Sequence, residues 1–259
     1  ENSSYLNKWS KKLPNAKFQN SYLNFIASHD GIGMRPTEGI LNERSLNNFL
    51  KRLKKNGSKF SYRKIQNKSK KVYEANITVF DALKKSDTDP NGKFFLERYI
   101  AAHAIMISFE GVPAIYFNSL FGKSNDEAKY VITGNNRDIN RYKWSYENIT
   151  KKLNNKNSKQ SIFYQNLGKL LEIKRKQKAF HPNAKRLNIN LGSKLFCFKR
   201  TSLDKKQTII SITNCSSVDQ YPKLNKKYSK WKNIINPKIN SLNKSFKLKP
   251  FETMWLSNK

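Results

Sequence analysis

Between Phe94 and Phe117 the sequence runs through Phe94-Phe95-Leu96, Tyr99-Ile100-Ala101-Ala102 and Ile105-Met106-Ile107 to Gly111, then Val112-Pro113-Ala114-Ile115-Tyr116-Phe117. A helix that is apolar on nearly every side has to be buried, because no face of it suits water. Gly111 stands just past its end, where a left-handed residue stops a helix at little cost. The apolar run that follows is short. Its proline lies near the start, where a missing N–H harms a strand least. Buried helix, tight turn and continuous apolar strand make one αβ step of a parallel sheet. That step places the chain in the α/β class.

Other segments are arranged around it. Tyr5, Leu6, Trp9 and Leu13 recur at helical spacing and predict a helix over residues 2–13. Residues 23–27 read as a short strand that leads straight into Ser28-His29-Asp30-Gly31. Residues 31–92 show little sustained apolar periodicity. They hold Gly31, Gly33, Pro36 and Gly39, a basic helix-like piece at 45–55, and a polar stretch to Lys71. An insertion of that length is more often functional than ornamental. A second amphipathic helix over 162–173 closes on Lys and Arg before Pro182. From about residue 183 the pattern changes to short strands at 187–191, 195–198, 208–213, 245–248 and 253–256. Gly192, residues 202–204, Asn236-Pro237 and Pro250 separate them. The expected organisation is a first part over 1–182, with an inserted loop domain at about 31–92, and an antiparallel β domain over 183–259.

Charge complicates the functional reading. The chain carries 51 Lys+Arg against 18 Asp+Glu, a formal +33, which taken alone points to nucleic acid or an anionic surface. The excess is uneven: residues 72–141 hold eight basic and nine acidic side chains. Lys far outnumbers Arg, as a drifted, solvated surface would also show. With no zinc-ligand spacing, no RNP-like segment and no Arg-rich helix, nucleic acid is not the expected partner. Two cysteines, Cys197 and Cys215, exclude a disulfide scaffold and read as buried thiols. No apolar run reaches the length of a membrane span. The chain opens Glu-Asn-Ser-Ser with no leader pattern and reads as cut from a longer protein.

Chemistry concentrates in Ala27-Ser28-His29-Asp30-Gly31-Ile32-Gly33. A His-Asp pair at a strand end, followed by Gly-x-Gly, lies where parallel-sheet and barrel proteins keep their sites. Read by itself, Asp30 is equally an ordinary turn cap and His29 a ligand for a backbone carbonyl. Three segments follow in order: Val72-Tyr73-Glu74-Ala75-Asn76-Ile77-Thr78, Gly111 to Phe117, and Thr133-Gly134-Asn135-Asn136-Arg137-Asp138-Ile139-Asn140-Arg141. Together they resemble the C-terminal half of glycoside hydrolase family 13, and within it the sucrose phosphorylase subfamily, which includes glucosylglycerol and glucosylglycerate phosphorylases. The Tyr-x-x-Asn segment and the Arg-Asp-Ile-Asn-Arg run are the more subfamily-specific parts.

The resemblance implies the C-terminal part of a (β/α)8 TIM barrel, with strands seven and eight at 23–28 and 112–117, a loop domain between them, and a small antiparallel β domain after. It implies retaining glucosyl transfer from an α-glucoside to inorganic phosphate in the cytoplasm, with no metal or other cofactor. Asp30 would stabilise the oxocarbenium-like transition state and His29 would bond glucosyl hydroxyls. Arg141, or Arg137, would hold the far edge of the sugar through a carboxylate outside this chain. Tyr73 and Glu74 would shape the acceptor side, where phosphate and leaving sugar alternate. Typical sucrose phosphorylases carry Gln at the Glu74 position; a carboxylate there turns the expectation toward a glycerate or glycerol acceptor. The alternatives are a structural ion-pair cluster of both arginines around Asp138, and a packing role for Tyr73. His103 reads as a core histidine and His181 as a linker residue.

The same resemblance assigns the nucleophilic Asp and the acid/base Glu to barrel strands that precede this chain. A hydrolase or transglycosylase on the same fold is the competing activity, and a basic nucleic-acid-binding protein the competing class. Oligomeric state is not legible. Expressed by itself, the 259-residue chain is expected to be inactive and prone to aggregate through an open strand edge. Phosphorolysis of an α-glucoside by the purified chain would overturn this.

Overall fold

The computed structural model describes residues 1–17, 19–65, 70–237 and 246–259. In chain order the elements are α1 (Ser4–Lys12), β1 (Leu23–Asn24), β2 (Ile32–Gly33), α2 (Glu43–Lys55), β3 (Lys59–Lys64), β4 (Lys70–Asn76), α3 (Val79–Lys84) and α4 (Phe95–Ser108). They continue as β5 (Val112–Pro113), α5 (Phe117–Leu120), α6 (Glu127–Thr133), a 3-10 turn at Asn136–Asn140, α7 (Tyr146–Asn154) and α8 (Lys159–Arg175). The last strands are β6 (Lys185–Ile189), β7 (Leu195–Thr201), β8 (Thr208–Asn214), β9 (Lys232–Asn233) and β10 (Thr253–Ser257). The chain forms two compact units, one of Glu1–Asn24, Leu96–Ala114 and Gly168–Lys259, the other of Phe25–Phe95 and Ile115–Leu167.

The first unit contains the αβ step. Helix α4 buries Tyr99, Ala101, His103, Ala104, Met106 and Ile107, as its all-round apolarity requires. Gly111 turns the chain at φ +114°, and a Cβ there would lie 2.6 Å from the Tyr22 carbonyl oxygen. β1 and β5 then pair in parallel, with Leu23 opposite Val112 and Asn24 opposite Pro113. Both strands are shorter than the sequence suggests. The ladder ends with the Ala114 N–H on the Asn24 carbonyl; residues 25–31 turn, and Phe117 begins a helix.

The β domain is one antiparallel sheet in the order β6-β7-β8-β10-β9. Strand β7 alternates Leu195 and Cys197 toward one cluster, with Ile210, Ile212, Met254 and Leu256. Its other face gives Phe196 and Phe198 to a second cluster with Phe109, Trp9 and Leu6. Burial on both faces is why β7 and β8 read as continuous apolar runs. Of the strand expected at 245–248, residue 245 lies outside the described residues, and Leu248 makes an isolated bridge to Gln220. That short stretch is not a ladder.

The second unit shows what the 31–92 insertion is. It holds a three-stranded sheet in the order β2-β4-β3, covered by α2. The alternation of the β3–β4 hairpin is masked in the sequence because its strands carry four lysines and an arginine around Phe60, Tyr62 and Val72; part of its connection, residues 66–69, lies outside the described residues. Helix α2 starts at Asn42, whose side chain accepts from the Ser45 N–H at 2.8 Å. Leu46, Leu50 and Leu53 lie along one helical face and meet Met34, Phe60, Val72, Ala75 and Ile77. Thr78 caps α3, and Asn125 bonds the Thr78 N–H at 3.0 Å, tying the hairpin to the segment before α6. No described helix is long and apolar enough to cross a membrane.

Burial also makes one titration visible in stability. His103 stacks on Tyr99 at 4.4 Å between centroids, with Nδ1 2.9 Å from the Tyr99 carbonyl oxygen, and burial pushes its pKa down from 6.5 to about 4. The unfolded chain therefore binds the extra proton between those values. Stability from this group is complete above about pH 6.5 and is lost as pH falls toward about 4, a swing of roughly 3 kcal/mol. Urea unfolding at pH 7.5 and 4.5 should show a smaller difference in His103→Leu than in the parent protein.

Candidate active site

The His-Asp turn is closed by reciprocal backbone bonds, Ser28 N–H to the Gly31 carbonyl at 3.0 Å and Gly31 N–H to the Ser28 carbonyl at 3.1 Å. Gly31 sits at φ +113°, and a Cβ on it would lie 2.3 Å from the Ala75 carbonyl oxygen. Only glycine allows that approach. β2 then pairs with β4, Ile32 opposite Ala75 and Gly33 opposite Glu74, so the turn and the Tyr73-Glu74 segment are held in register.

A bulge explains how two consecutive residues of β4 serve one site. Ser61 pairs with Glu74 but Tyr62 pairs with Val72, which leaves Tyr73 as the extra residue. Bulges re-aim side chains. Here the Tyr73 hydroxyl and the Glu74 carboxylate both meet Arg137. The Arg137 guanidinium donates to Glu74 through Nε at 3.1 Å and Nη2 at 2.7 Å, and its Nη2 reaches the Tyr73 hydroxyl at 3.2 Å. This paired geometry is the strong form of an arginine–carboxylate contact. The Glu74 hydrogen bond raises the Arg137 pKa above its usual value.

Arg137 lies in the 3-10 turn and Arg141 is the residue that ends it. The Asn135 side chain starts it by accepting from the Arg137 N–H. Arg141 Nη2 donates to Asp30 Oδ1 at 2.6 Å, Arg137 Nε lies 3.5 Å from the same oxygen, and His29 Nε2 lies 3.3 Å from it. These three contacts all fall on Oδ1. The Asp30 side chain is 25% exposed and His29 61%, while Glu74 is 12% exposed. All six residues singled out in the sequence, His29, Asp30, Tyr73, Glu74, Arg137 and Arg141, lie in this one cluster. Two carboxylates face two guanidiniums, so its formal charge is zero when His29 is neutral.

The competing arrangement around Asp138 is not formed: that carboxylate lies 3.7 Å from Lys129 Nζ, and the arginines turn to Glu74 and Asp30. Arg141 finds its carboxylate within this chain, in Asp30. Tyr73 bonds Arg137 through its hydroxyl and does more than pack.

Two further residues of these motifs, Asn76 and Asn140, are structural partners of the turn. The Asn76 side chain donates to the Asp30 carbonyl at 2.8 Å, and the Asn140 side chain to the Ser28 carbonyl at 2.7 Å. Tyr116, whose ring lies 6.4 Å from that of His29, donates to the Asn140 carbonyl at 2.9 Å; burial pushes its hydroxyl pKa up, so it stays a donor. Their hydrogen-bond partners are distant in sequence, and nothing in the local pattern signals them. His181, Cys197 and Cys215 belong to the other unit. Cys197 is fully buried, and burial pushes its thiol pKa up.

No protein-family profile matches the chain. The glucosylglycerate phosphorylase of Escherichia coli (strain K12) is 29% identical over 248 residues, which is 96% of this chain and 43% of that protein. The glucosylglycerate phosphorylase of Spirochaeta thermophila is 32% identical over 217 residues, 84% of this chain and 36% of its own length. The chain thus spans less than half of either relative. The crystal structure of sucrose 6F-phosphate phosphorylase from Thermoanaerobacter thermosaccharolyticum superposes with a TM-score of 0.66 at 20% identity, over 83% of this chain and 40% of that one. The fold is accordingly the strand-seven-to-eight part of a (β/α)8 barrel with its loop domain, followed by an antiparallel β domain.

Gly31→Ala is expected to cost at least about 2 kcal/mol, because the methyl group meets a carbonyl and the residue keeps a left-handed φ. Denaturant unfolding measures this, and a variant as stable as the parent would contradict the packing of the turn.

Proposed function

We propose that this chain, which belongs to the sucrose phosphorylase subfamily of glycoside hydrolase family 13, supplies the transition-state-stabilising carboxylate and the acceptor-side arginine of a retaining α-glucosyl phosphorylase. The observation that carries the reading is the partly exposed Asp30 carboxylate, with Oδ1 anchored at 2.6 Å by Arg141 and 3.3 Å from His29 Nε2. As the glycosidic bond breaks, positive charge grows on the anomeric carbon and ring oxygen. A carboxylate already oriented by an arginine stabilises that charge without reorganising at the moment of reaction. His29 is close enough to share a glucosyl hydroxyl with Asp30. No carboxylate of this chain is assigned the nucleophile or acid/base role.

On the acceptor side, Arg137 is the group for an oxyanion. Glu74 engages its bidentate edge, so an incoming phosphate or carboxylate competes with Glu74 for it. Glycerate is the acceptor most consistent with the similar proteins' names, with inorganic phosphate as co-substrate, a small sugar as substrate and the cytoplasm as the location.

The experiment uses the intact protein that carries this chain, incubated with α-glucosylglycerate, α-glucosylglycerol or sucrose, with and without phosphate. Phosphate-dependent release of glucose 1-phosphate is expected, and fastest with the glycerate compound. Free glucose at the same rate without phosphate would assign a hydrolase instead. Asp30→Asn should lower kcat by about 10²–10³-fold. Glu74→Gln should lower the phosphate KM severalfold, since Arg137 no longer faces an internal anion; an unchanged KM would remove Arg137 from the acceptor site.

A further inference from the structure

The Asp30 side chain projects from a turn whose backbone is held at two points. Asn76 Nδ2 donates to the Asp30 carbonyl at 2.8 Å and Asn140 Nδ2 to the Ser28 carbonyl at 2.7 Å. These carbonyls lie on either side of His29, so fixing both sets the direction in which His29 and Asp30 leave the backbone. Both asparagines are buried, Asn76 at 0% and Asn140 at 2% exposure. A buried amide is costly unless its polar atoms are paired. Asn76 meets this in full, accepting from Ser61 Oγ at 2.8 Å through Oδ1. Its Nδ2 also lies 3.3 Å from Glu74 Oε2. Asn140 is fixed from behind, its carbonyl accepting from the Tyr116 hydroxyl at 2.9 Å and the Asn118 amide at 3.3 Å.

We infer that Asn76 and Asn140 are positioning residues for glucosyl transfer: together they clamp the 28–31 turn, and Asn76 alone links it to the Glu74–Arg137 pair. The inference rests on the glucosyl-transfer reading above for its kinetic part only. Removing either amide lets the turn shift, and a displacement near 1 Å at a reacting group costs on the order of 10²-fold in rate. Removing Asn76 has a second consequence. Glu74 loses one donor and holds Arg137 more firmly, so phosphate competes less well.

The test compares Asn76→Ala, Asn76→Leu, Asn140→Ala and Ser61→Ala in the intact protein. Asn76→Leu keeps the branched side-chain shape, removes the donor without adding charge, and serves if the alanine variant folds poorly. Kinetics are normalised to folded protein. Either asparagine variant should lose about 10²-fold in kcat. The Asn76 variants should also raise the phosphate KM by about threefold, the worth of one long, weak hydrogen bond, while Asn140→Ala leaves it within about twofold. Ser61→Ala should move both constants the same way as Asn76→Ala, by less. Values of kcat within about threefold of the parent, or a fall in kcat from Asn76 variants with the phosphate KM unmoved, overturn the inference. Hydrogen exchange at the Gly31 amide needs no substrate. It should accelerate about tenfold in both asparagine variants, and unchanged exchange overturns the clamp whatever the enzyme does. A parent protein that transfers no glucosyl group, but shows the exchange effect, would instead refute the activity reading.

Discussion

The partly buried carboxylate of Asp30 is shared by Arg141 and Arg137, and most of the second unit is arranged to make that sharing possible. A half-buried carboxylate without a partner is expensive, and a half-buried guanidinium equally so. Placed 2.6 Å and 3.5 Å from the two arginines, the Asp30 oxygen offsets both. Glu74 then completes the balance by taking the bidentate edge of Arg137. The cost of leaving any one of the four unpaired is what makes them a unit: deleting a carboxylate would strand a cation, and deleting an arginine would strand an anion.

That charge arrangement depends on backbone geometry more than on side-chain choice. Asp30 reaches the arginines because the turn closes on Gly31, which no other residue can replace against the Ala75 carbonyl. Glu74 and Tyr73 reach Arg137 together because the hairpin carries a bulge at Tyr73. The hairpin in turn is anchored by a leucine face of α2 and by the Thr78–Asn125 contact. Local irregularities, a left-handed glycine and one unpaired strand residue, therefore aim the charged groups, while regular elements hold the irregularities in place.

Chain segments with one dominant physical signal were legible before folding. The all-round apolarity of α4, the short strand runs of β7 and β8, and the basic helix-like piece of α2 predict elements within a few residues of those observed. The hairpin at Lys59–Lys64 and Lys70–Asn76 was not legible, because Lys59, Arg63, Lys64, Lys70 and Lys71 crowd around Phe60, Tyr62 and Val72 and hide their alternation. The six site residues could be named from motif order, yet their pairing could not. Arg137 and Arg141 have Asp138 as the nearer carboxylate in sequence, and it is Lys129 that takes it.

What the amino-acid order settled by itself is therefore the class of each strong segment and the family of the chain, since both follow from local pattern and residue identity. Which arginine meets which carboxylate, and that Asn76 and Asn140 grip the turn, were decided only in three dimensions. The physical reason is range. Hydrogen bonds and ion pairs act over a few ångströms of space, and here they join residues 46 to 112 positions apart in the chain, a separation that no local pattern encodes.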